Sequence, residues 1–203
     1  MIPTEIPCDS SRDSTPMWRP ETADSPPSFD YPMDTPWPDP QFRDLTPALI
    51  SSLSADDIGD AILQHVEWQV RAKKGDRTAA IEALPVGTRA IYTTFLVDAE
   101  VNNGGFNQFF YNPSGELAGY ALVGYELLGA EDYAEIMRAA IATRESERER
   151  MAPFYDAESL EAFSRSYEHT ELGEVDQRYY SLGDRIYQIW FTFARERSDL
   201  LVR

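Results

Sequence analysis

After the first 44 residues, apolar side chains recur at three- and four-residue spacing, which is the period of an amphipathic α-helix. Ser54, followed by Asp56 and Asp57, provides an N-cap and an acidic first turn for the first long stripe. That stripe consists of Ile58, Ile62, Val66 and Val70. No convincing period-two run or hairpin turn is found, so the pattern favours helices.

Glycine and proline divide this pattern into separate helices, since glycine is common just after a helix and proline suits its first turn. Seven helices are predicted. The first runs from Ala55 to a stop at Gly75, and the third begins at Pro85. The other five cover residues 76–83, 114–128, 131–151, 157–168 and 174–197. Residues 45–203 are therefore predicted to form an all-α domain, a compact bundle of roughly seven helices.

Residues 1–44 have a different composition, because they hold ten of the 14 prolines. Proline at this density excludes regular helix and sheet, which predicts a proline-rich N-terminal arm that is extended or partly disordered. The arm also contains the aromatic residues Trp18, Phe29, Tyr31, Trp37 and Phe42. We expect residues 29–44 to pack on the helical domain, and the alternative is a proline-rich ligand for another protein.

Charge is the most unusual feature of the composition, with 35 Asp and Glu against 18 Lys and Arg and a formal net charge of −17. Direct binding to nucleic acid is disfavoured, because phosphate recognition needs a basic surface. The charge favours a basic protein partner, although solubility alone also accounts for it. No Lys or Arg occurs between Arg89 and Arg138, and a second acidic zone begins at Asp156. From these zones, the predicted partner-binding residues are Glu131, Asp132, Glu135, Asp156, Glu158 and Glu161.

Signals for membrane insertion or export are not evident in the sequence. No run of about eighteen apolar residues predicts a transmembrane helix, and the N-terminus lacks the basic and apolar regions of a secretory signal. The single cysteine, Cys8, cannot form an internal disulfide, which fits a reducing compartment. We therefore expect a cytoplasmic protein that does not cross a membrane.

Residues that support enzymatic chemistry are scarce. The only histidines are His65, which lies on the apolar side of its predicted helix, and His169, which has no zinc ligand set around it. No Cys-x-x-Cys, Gly-x-Ser-x-Gly or phosphate-binding glycine loop occurs. We therefore predict a protein that is not an enzyme and has no catalytic residue, metal site or cofactor.

The stretch Glu100–Asn112, EVNNGGFNQFFYN, combines a glycine pair with a dense group of aromatic residues. Gly104 and Gly105 allow positive φ or close backbone contact, and the three phenylalanines after them continue an apolar helical face. We expect a sharp helix–helix corner, in which Glu100 pairs with Arg178. The alternative is a small polar pocket formed by Glu100, Asn103, Gln108 and Tyr180.

Two segments carry a resemblance to a known family. Glu100–Phe110, followed by Asn112, resembles the signature of the bacterial DNA-mimic-protein domain family. Glu174–Tyr180, EVDQRYY, is similar to a leucine-aspartate-x-x-tyrosine-tyrosine segment of the same family, with Val175 where leucine is usual. The resemblance covers about residues 55–197 and leaves the arm outside. We assign a structural role to the motif residues Glu100, Asn102, Asn103, Gly104, Gly105, Phe106, Gln108, Asp176 and Tyr180.

The resemblance implies an acidic, mostly helical domain that is often dimeric. The family takes its name from a member that occupies a DNA-binding protein in place of DNA. Together with the charge, the resemblance predicts a non-enzymatic homodimer whose acidic surface binds a basic protein, such as a transcription factor or another DNA-binding protein. Two alternatives stay open: a small-ligand or enzymatic site at the corner, and an immunity or antitoxin-like role.

Overall fold

A computed structural model describes residues 42–72, 77–157 and 159–202 of the chain. The arm predicted over 1–44 lies almost wholly outside these residues, and Glu158 lies outside them too, so both predictions stay open. Phe42, the last aromatic residue of the predicted arm, is described and is buried.

The described residues form ten α-helices and no strand, which confirms the predicted all-α class. The helices are α1 Pro47–Ser52, α2 Ala55–Ala72, α3 Arg77–Glu82, α4 Val86–Tyr111, α5 Ala118–Leu127, α6 Glu131–Ser146, α7 Arg148–Tyr155, α8 Leu160–Ser166, α9 Leu172–Tyr180 and α10 Arg185–Glu196. Short 3-10 helices at Pro113–Leu117 and Ser198–Leu200 follow α4 and α10. There are more helices than predicted because α1 precedes the first one and two long predicted helices are each divided.

Helix α4 lies at the centre of the bundle and packs against α2, α5 and α9. Most of its side chains are buried, which explains why it lacks a broad polar face. Trp190 of α10 is fully buried beside it and donates its indole N–H to the Thr94 hydroxyl at 2.9 Å. Although α4 has 26 residues, no helix in the described ranges is both long and apolar enough to span a bilayer.

The prediction of one continuous helix over 131–151 is wrong, because the structure has two helices there, α6 and α7. Glu147 lies at their junction with its carboxylate buried, where it accepts hydrogen bonds from Arg150, the Thr170 hydroxyl and the Glu171 amide. These donors include residues just before α9, so a tertiary contact fixes the junction. Pro153 does not end the helix as predicted but lies inside α7.

The helix predicted over 174–197 is also wrong in its continuity, since it is divided into α9 and α10. Gly183 has a φ of 57°, a left-handed conformation that is common just after a helix. The apolar stripe runs on across the break because both helices contribute buried residues to the core. The helix predicted over 157–168 is shorter in the structure, because Ser159 caps α8 by accepting a hydrogen bond from the Ala162 amide at 3.2 Å.

Candidate functional site

The NNGGF stretch forms a kink within α4. Gly104 has φ −157° and ψ 22°, and Gly105 has φ 74° and ψ −179°, so the helical conformation is interrupted between two helical segments. Backbone groups on both sides of such an interruption need partners from outside the helix. The predicted sharp corner is therefore present, as a bend inside one continuous element.

The second motif provides partners for this kink. Asp176 accepts a hydrogen bond from the Phe106 amide at 2.7 Å, at the start of the segment after the kink. Tyr180 donates its hydroxyl to the Val101 carbonyl at 2.9 Å, in the segment before it. A carboxylate at a helix N-terminus and a hydroxyl donor near a helix C-terminus satisfy complementary backbone groups. The two motifs are thus joined physically, 70 residues apart in sequence at the Asp176 contact.

Glu100 lies on the inner side of the corner and is only 2% exposed. Its carboxylate accepts hydrogen bonds from the Gln108 and Asn112 amides and the Ser114 hydroxyl, at 2.8, 2.8 and 2.9 Å. Burial raises the pKa of Glu100, and these three donors oppose that rise. The predicted pairing with Arg178 is wrong, because Arg178 forms an ion pair with Glu135 at 2.9 Å.

The four residues of the alternative pocket divide between the interior and the surface. Glu100 and Gln108 are buried and bonded to each other, whereas Asn103 is exposed. Tyr180 is partly exposed, with its hydroxyl held by the Val101 carbonyl. The hydrogen-bonding groups of Glu100, Gln108 and Tyr180 are therefore used within the protein, as in a packed corner.

Two buried polar residues of the corner were missed in the sequence. Asp98 accepts hydrogen bonds from Tyr179 at 2.9 Å and Tyr187 at 3.2 Å, and burial raises its pKa despite these donors. Asn107 bonds to the Ser166 hydroxyl and to Tyr155, both at 2.8 Å. A signal for Asp98 was available, since it is an acid inside an otherwise apolar stretch, FLVDAEV.

The first predicted acidic zone lies at the start of α6, where Glu131, Asp132 and Glu135 are all exposed. Arginines from other helices partly neutralise it. Asp132 pairs with Arg185 at 3.1 Å, and Glu135 pairs with Arg178 at 2.9 Å. The interval between Arg89 and Arg138 has no basic residue in the sequence, but two arginines from other helices pair with its acids in the folded chain.

The second zone lies around the end of α7 and the start of α8, where Asp156 and Glu161 are exposed. Neither has an ion-pair partner within the described residues. Most arginines among the described residues form ion pairs within the protein. Those in ion pairs are Arg77, Arg138, Arg148, Arg150, Arg178, Arg185 and Arg197.

The two histidines make separate contacts within the fold. His65 is buried and bonds to the Arg43 carbonyl at 2.9 Å, so the expectation of a packed histidine is confirmed. His169 stacks on Phe154 with ring centroids 4.7 Å apart. Across 42–72, 77–157 and 159–202, no group of three or more His, Cys, Asp or Glu residues is arranged to hold a metal ion.

Comparison with known proteins places the chain in a family. No curated protein and no solved structure shows significant similarity to the chain. A family model described as DMP19-like protein matches residues 82–197, which is more than half of the chain. The matched region includes the kinked part of α4 and the residues of α9 that cap it, and it confirms the resemblance to DNA-mimic proteins. The chain therefore belongs to the DMP19-like protein family.

Proposed function

We propose that this chain is a non-enzymatic interaction protein whose acidic surface binds a basic protein, specifically a DNA-binding protein such as a transcription factor. Membership of the DMP19-like family supports a partner of this class. The net charge of −17 supports attraction of a basic surface over a long range.

The observation that carries the proposal is the presence of exposed carboxylates that are not used by the fold. Glu131, Asp156 and Glu161 are exposed and have no ion-pair partner within the described residues. A basic partner can approach them without breaking internal pairs, whereas Asp132 and Glu135 must exchange an arginine of this chain for one of the partner. We therefore place the main contribution on the unpaired acids.

The test is displacement of DNA from a candidate regulator. Purified DNA-binding proteins from the native cell are loaded with a fluorescent duplex, and this protein is titrated in at about 50 and 200 mM salt. We expect displacement that weakens with salt, because charge attraction is screened. Displacement that does not change with salt, or no displacement from any basic regulator, would contradict the proposal.

A matched pair of variants locates the surface. The variant E131Q/D156N/E161Q should bind roughly tenfold more weakly, since each exposed charge contributes about 0.5 kcal/mol. The control D44N/E149Q/E196Q removes the same charge from other exposed positions that have no ion pair among the described residues, and it should bind almost like the wild type. Equal weakening by both variants would show that only total charge matters.

The homodimer expected from the family resemblance has a candidate surface on α4 and α5. Val86, Val123 and Leu127 are 45%, 59% and 38% exposed. They are close together, because α5 approaches α4 where Gly124 faces the backbone of Ala90, one turn after Val86. Apart from Glu126, helix α5 is apolar, a pattern typical of a largely buried helix, which supports its coverage by a second copy.

A further inference from the structure

Two tyrosines next to the kink are held at the surface rather than in the core. Tyr167 is 41% exposed and Tyr180 is 42% exposed. Both hydroxyls are fixed to α4, at the Gly104 carbonyl (2.8 Å) and the Val101 carbonyl (2.9 Å). Each ring is therefore anchored at its polar end, so a partner that contacts it has little side-chain freedom to restrict.

The hydroxyls of the two tyrosines are neighbours. Val101 and Gly104 are one turn apart on α4, so the hydroxyls of Tyr167 and Tyr180 reach adjacent points on the same helix. Burial, together with the nearby Asp176 and Tyr180, raises the pKa of Tyr167 to about 12, and burial also raises the pKa of Tyr180. Both phenols thus stay neutral and hydrogen-bonded at neutral pH.

Arginine stacks on aromatic rings at several other places in this chain. The four pairs, with guanidinium-to-centroid distances of 4.3, 5.6, 4.6 and 4.9 Å, are Arg43 with Trp68, Arg89 with Tyr120, Arg144 with Tyr155 and Arg195 with Phe191. Within the described residues, no cation is seated over Tyr167 or Tyr180. Arg165 is two positions before Tyr167 and so extends from another side of α8.

Carboxylates lie near both rings. Glu168, next to Tyr167, is exposed, and Asp176 is one turn before Tyr180 on α9. An arginine offers a planar cation that stacks on a tyrosine ring while its N–H groups bond to carboxylates, whereas lysine offers a compact charge. Exposed tyrosine rings with carboxylates beside them are therefore complementary to the arginines of a basic partner.

We propose that Tyr167 and Tyr180 form an arginine-binding surface beside the Gly104–Gly105 kink, where guanidinium groups of the basic partner stack. This inference rests on the proposed function and adds that the partner is recognised through arginine and not through positive charge alone. It also gives the exposed side of the family motif a role in recognition.

The test uses two labelled peptides, octa-arginine and octa-lysine, which carry the same charge. We expect the wild-type protein to bind octa-arginine about tenfold more tightly, since each exposed cation–π contact contributes about 0.5–1 kcal/mol. In Y167L/Y180L this preference should disappear, while octa-lysine binding changes less than about twofold. The control Y120L, whose ring already carries Arg89, should keep the preference.

The outcomes separate this inference from the proposed function. Equal binding of the two peptides by the wild type, or a preference that survives in Y167L/Y180L, would overturn the arginine surface and leave the acidic-surface proposal standing. If neither peptide binds, both proposals fail. The variant Y167F/Y180F loses the two hydroxyl bonds but keeps both rings, so it should retain the preference for arginine even if its stability falls.

Discussion

Glu100 is a buried carboxylate whose hydrogen bonds come from an unusual set of neutral donors. Burial of a charged group is unfavourable, and three hydrogen bonds offset only part of that cost. Gln108 and Asn112 both donate to one carboxylate oxygen, and Ser114 donates to the other. Because the two amides share one oxygen and the hydroxyl uses the other, a glutamine can replace the glutamate at this site.

Glu100→Gln should change the free energy of unfolding at pH 7 by less than about 1 kcal/mol, because its carbonyl can accept from both amides and Ser114 can reverse its hydroxyl to accept. Glu100→Ala should cost about 3 kcal/mol, since it leaves buried donors without an acceptor. Urea unfolding of the two variants measures both values. Similar losses in the two variants would contradict the role given to these hydrogen bonds.

The same site predicts how stability depends on pH. Burial raises the pKa of Asp98, Glu100 and Asp176 above their ordinary values of 3.8, 4.5 and 3.8. Between the ordinary and the raised value, the folded chain binds more protons than the unfolded chain, so stability falls as pH rises through the raised pKa. We expect a larger free energy of unfolding near pH 5 than near pH 7, and a smaller difference in Glu100→Gln. Greater stability near pH 7 would contradict this sign.

The sequence motifs identify Glu100, Gln108, Asp176 and Tyr180 at this corner, but Asp98, Asn107 and several hydrogen-bond partners were missed. Asp176 and Tyr180 are four positions apart on α9 and share the face toward α4. Arg178 lies midway between them and so extends from the opposite side, where it meets Glu135. The helical period alone would have excluded the predicted pairing of Arg178 with Glu100.

At the scale of the element, the kink in α4 depends on Gly105. Its φ of 74° with ψ of −179° is a conformation that only glycine adopts readily. A β-carbon at this position would also collide with the carboxylate of Asp176. Conformation and packing therefore both require glycine here.

Gly105→Ala should lower the free energy of unfolding by about 3 kcal/mol, through backbone strain and displacement of Asp176. Gly129→Ala is the control for a positive φ without a clash, because Gly129 has a φ of 69° and open space around the added carbon. The control should cost about 1 kcal/mol, the strain of an ordinary left-handed residue. Equal costs in urea unfolding would show that neither the ψ of Gly105 nor the contact with Asp176 adds to the cost.

The helices and the corner at Gly104–Gly105 were largely predictable from the sequence, but the breaks at Glu147 and Gly183 were not. The stripe from α9 to α10 crosses Gly183 without losing its period, so spacing gave no sign of a break there. The junction at Glu147 depends on donors that lie more than twenty residues further along the chain. Interruptions set by tertiary contacts leave little trace in local pattern.

At the scale of the whole molecule, the arrangement of charges on the folded surface differs from their order along the sequence. The stretch between Arg89 and Arg138 has no basic residue, yet Arg178 and Arg185 arrive there from α9 and α10. Sequence therefore predicted an acidic molecule, and the fold determines which of its acids remain unpaired. Asp156 and Glu161 are now better candidates than Asp132 and Glu135.

The apolar surface of α4 and α5 yields a prediction about assembly. V123S/L127S should weaken a homodimer roughly a hundredfold or more, because a twofold interface loses each side chain twice. Light scattering over a concentration series measures this effect. The control Leu160→Ser changes another exposed apolar residue, on α8, and should leave the dimer intact. A wild-type monomer at all concentrations, or a variant as dimeric as the wild type, would contradict the proposal.

The contact between Phe106 and Asp176 also has a consequence for the order of folding. Its two ends are 70 residues apart, and such distant contacts form late because a long loop must first be closed. During synthesis, α4 leaves the ribosome before the residues that cap its kink have been made. The kink of the central helix therefore lacks its capping carboxylate until α9 has been synthesised. A chain that ends before α9 cannot supply that cap.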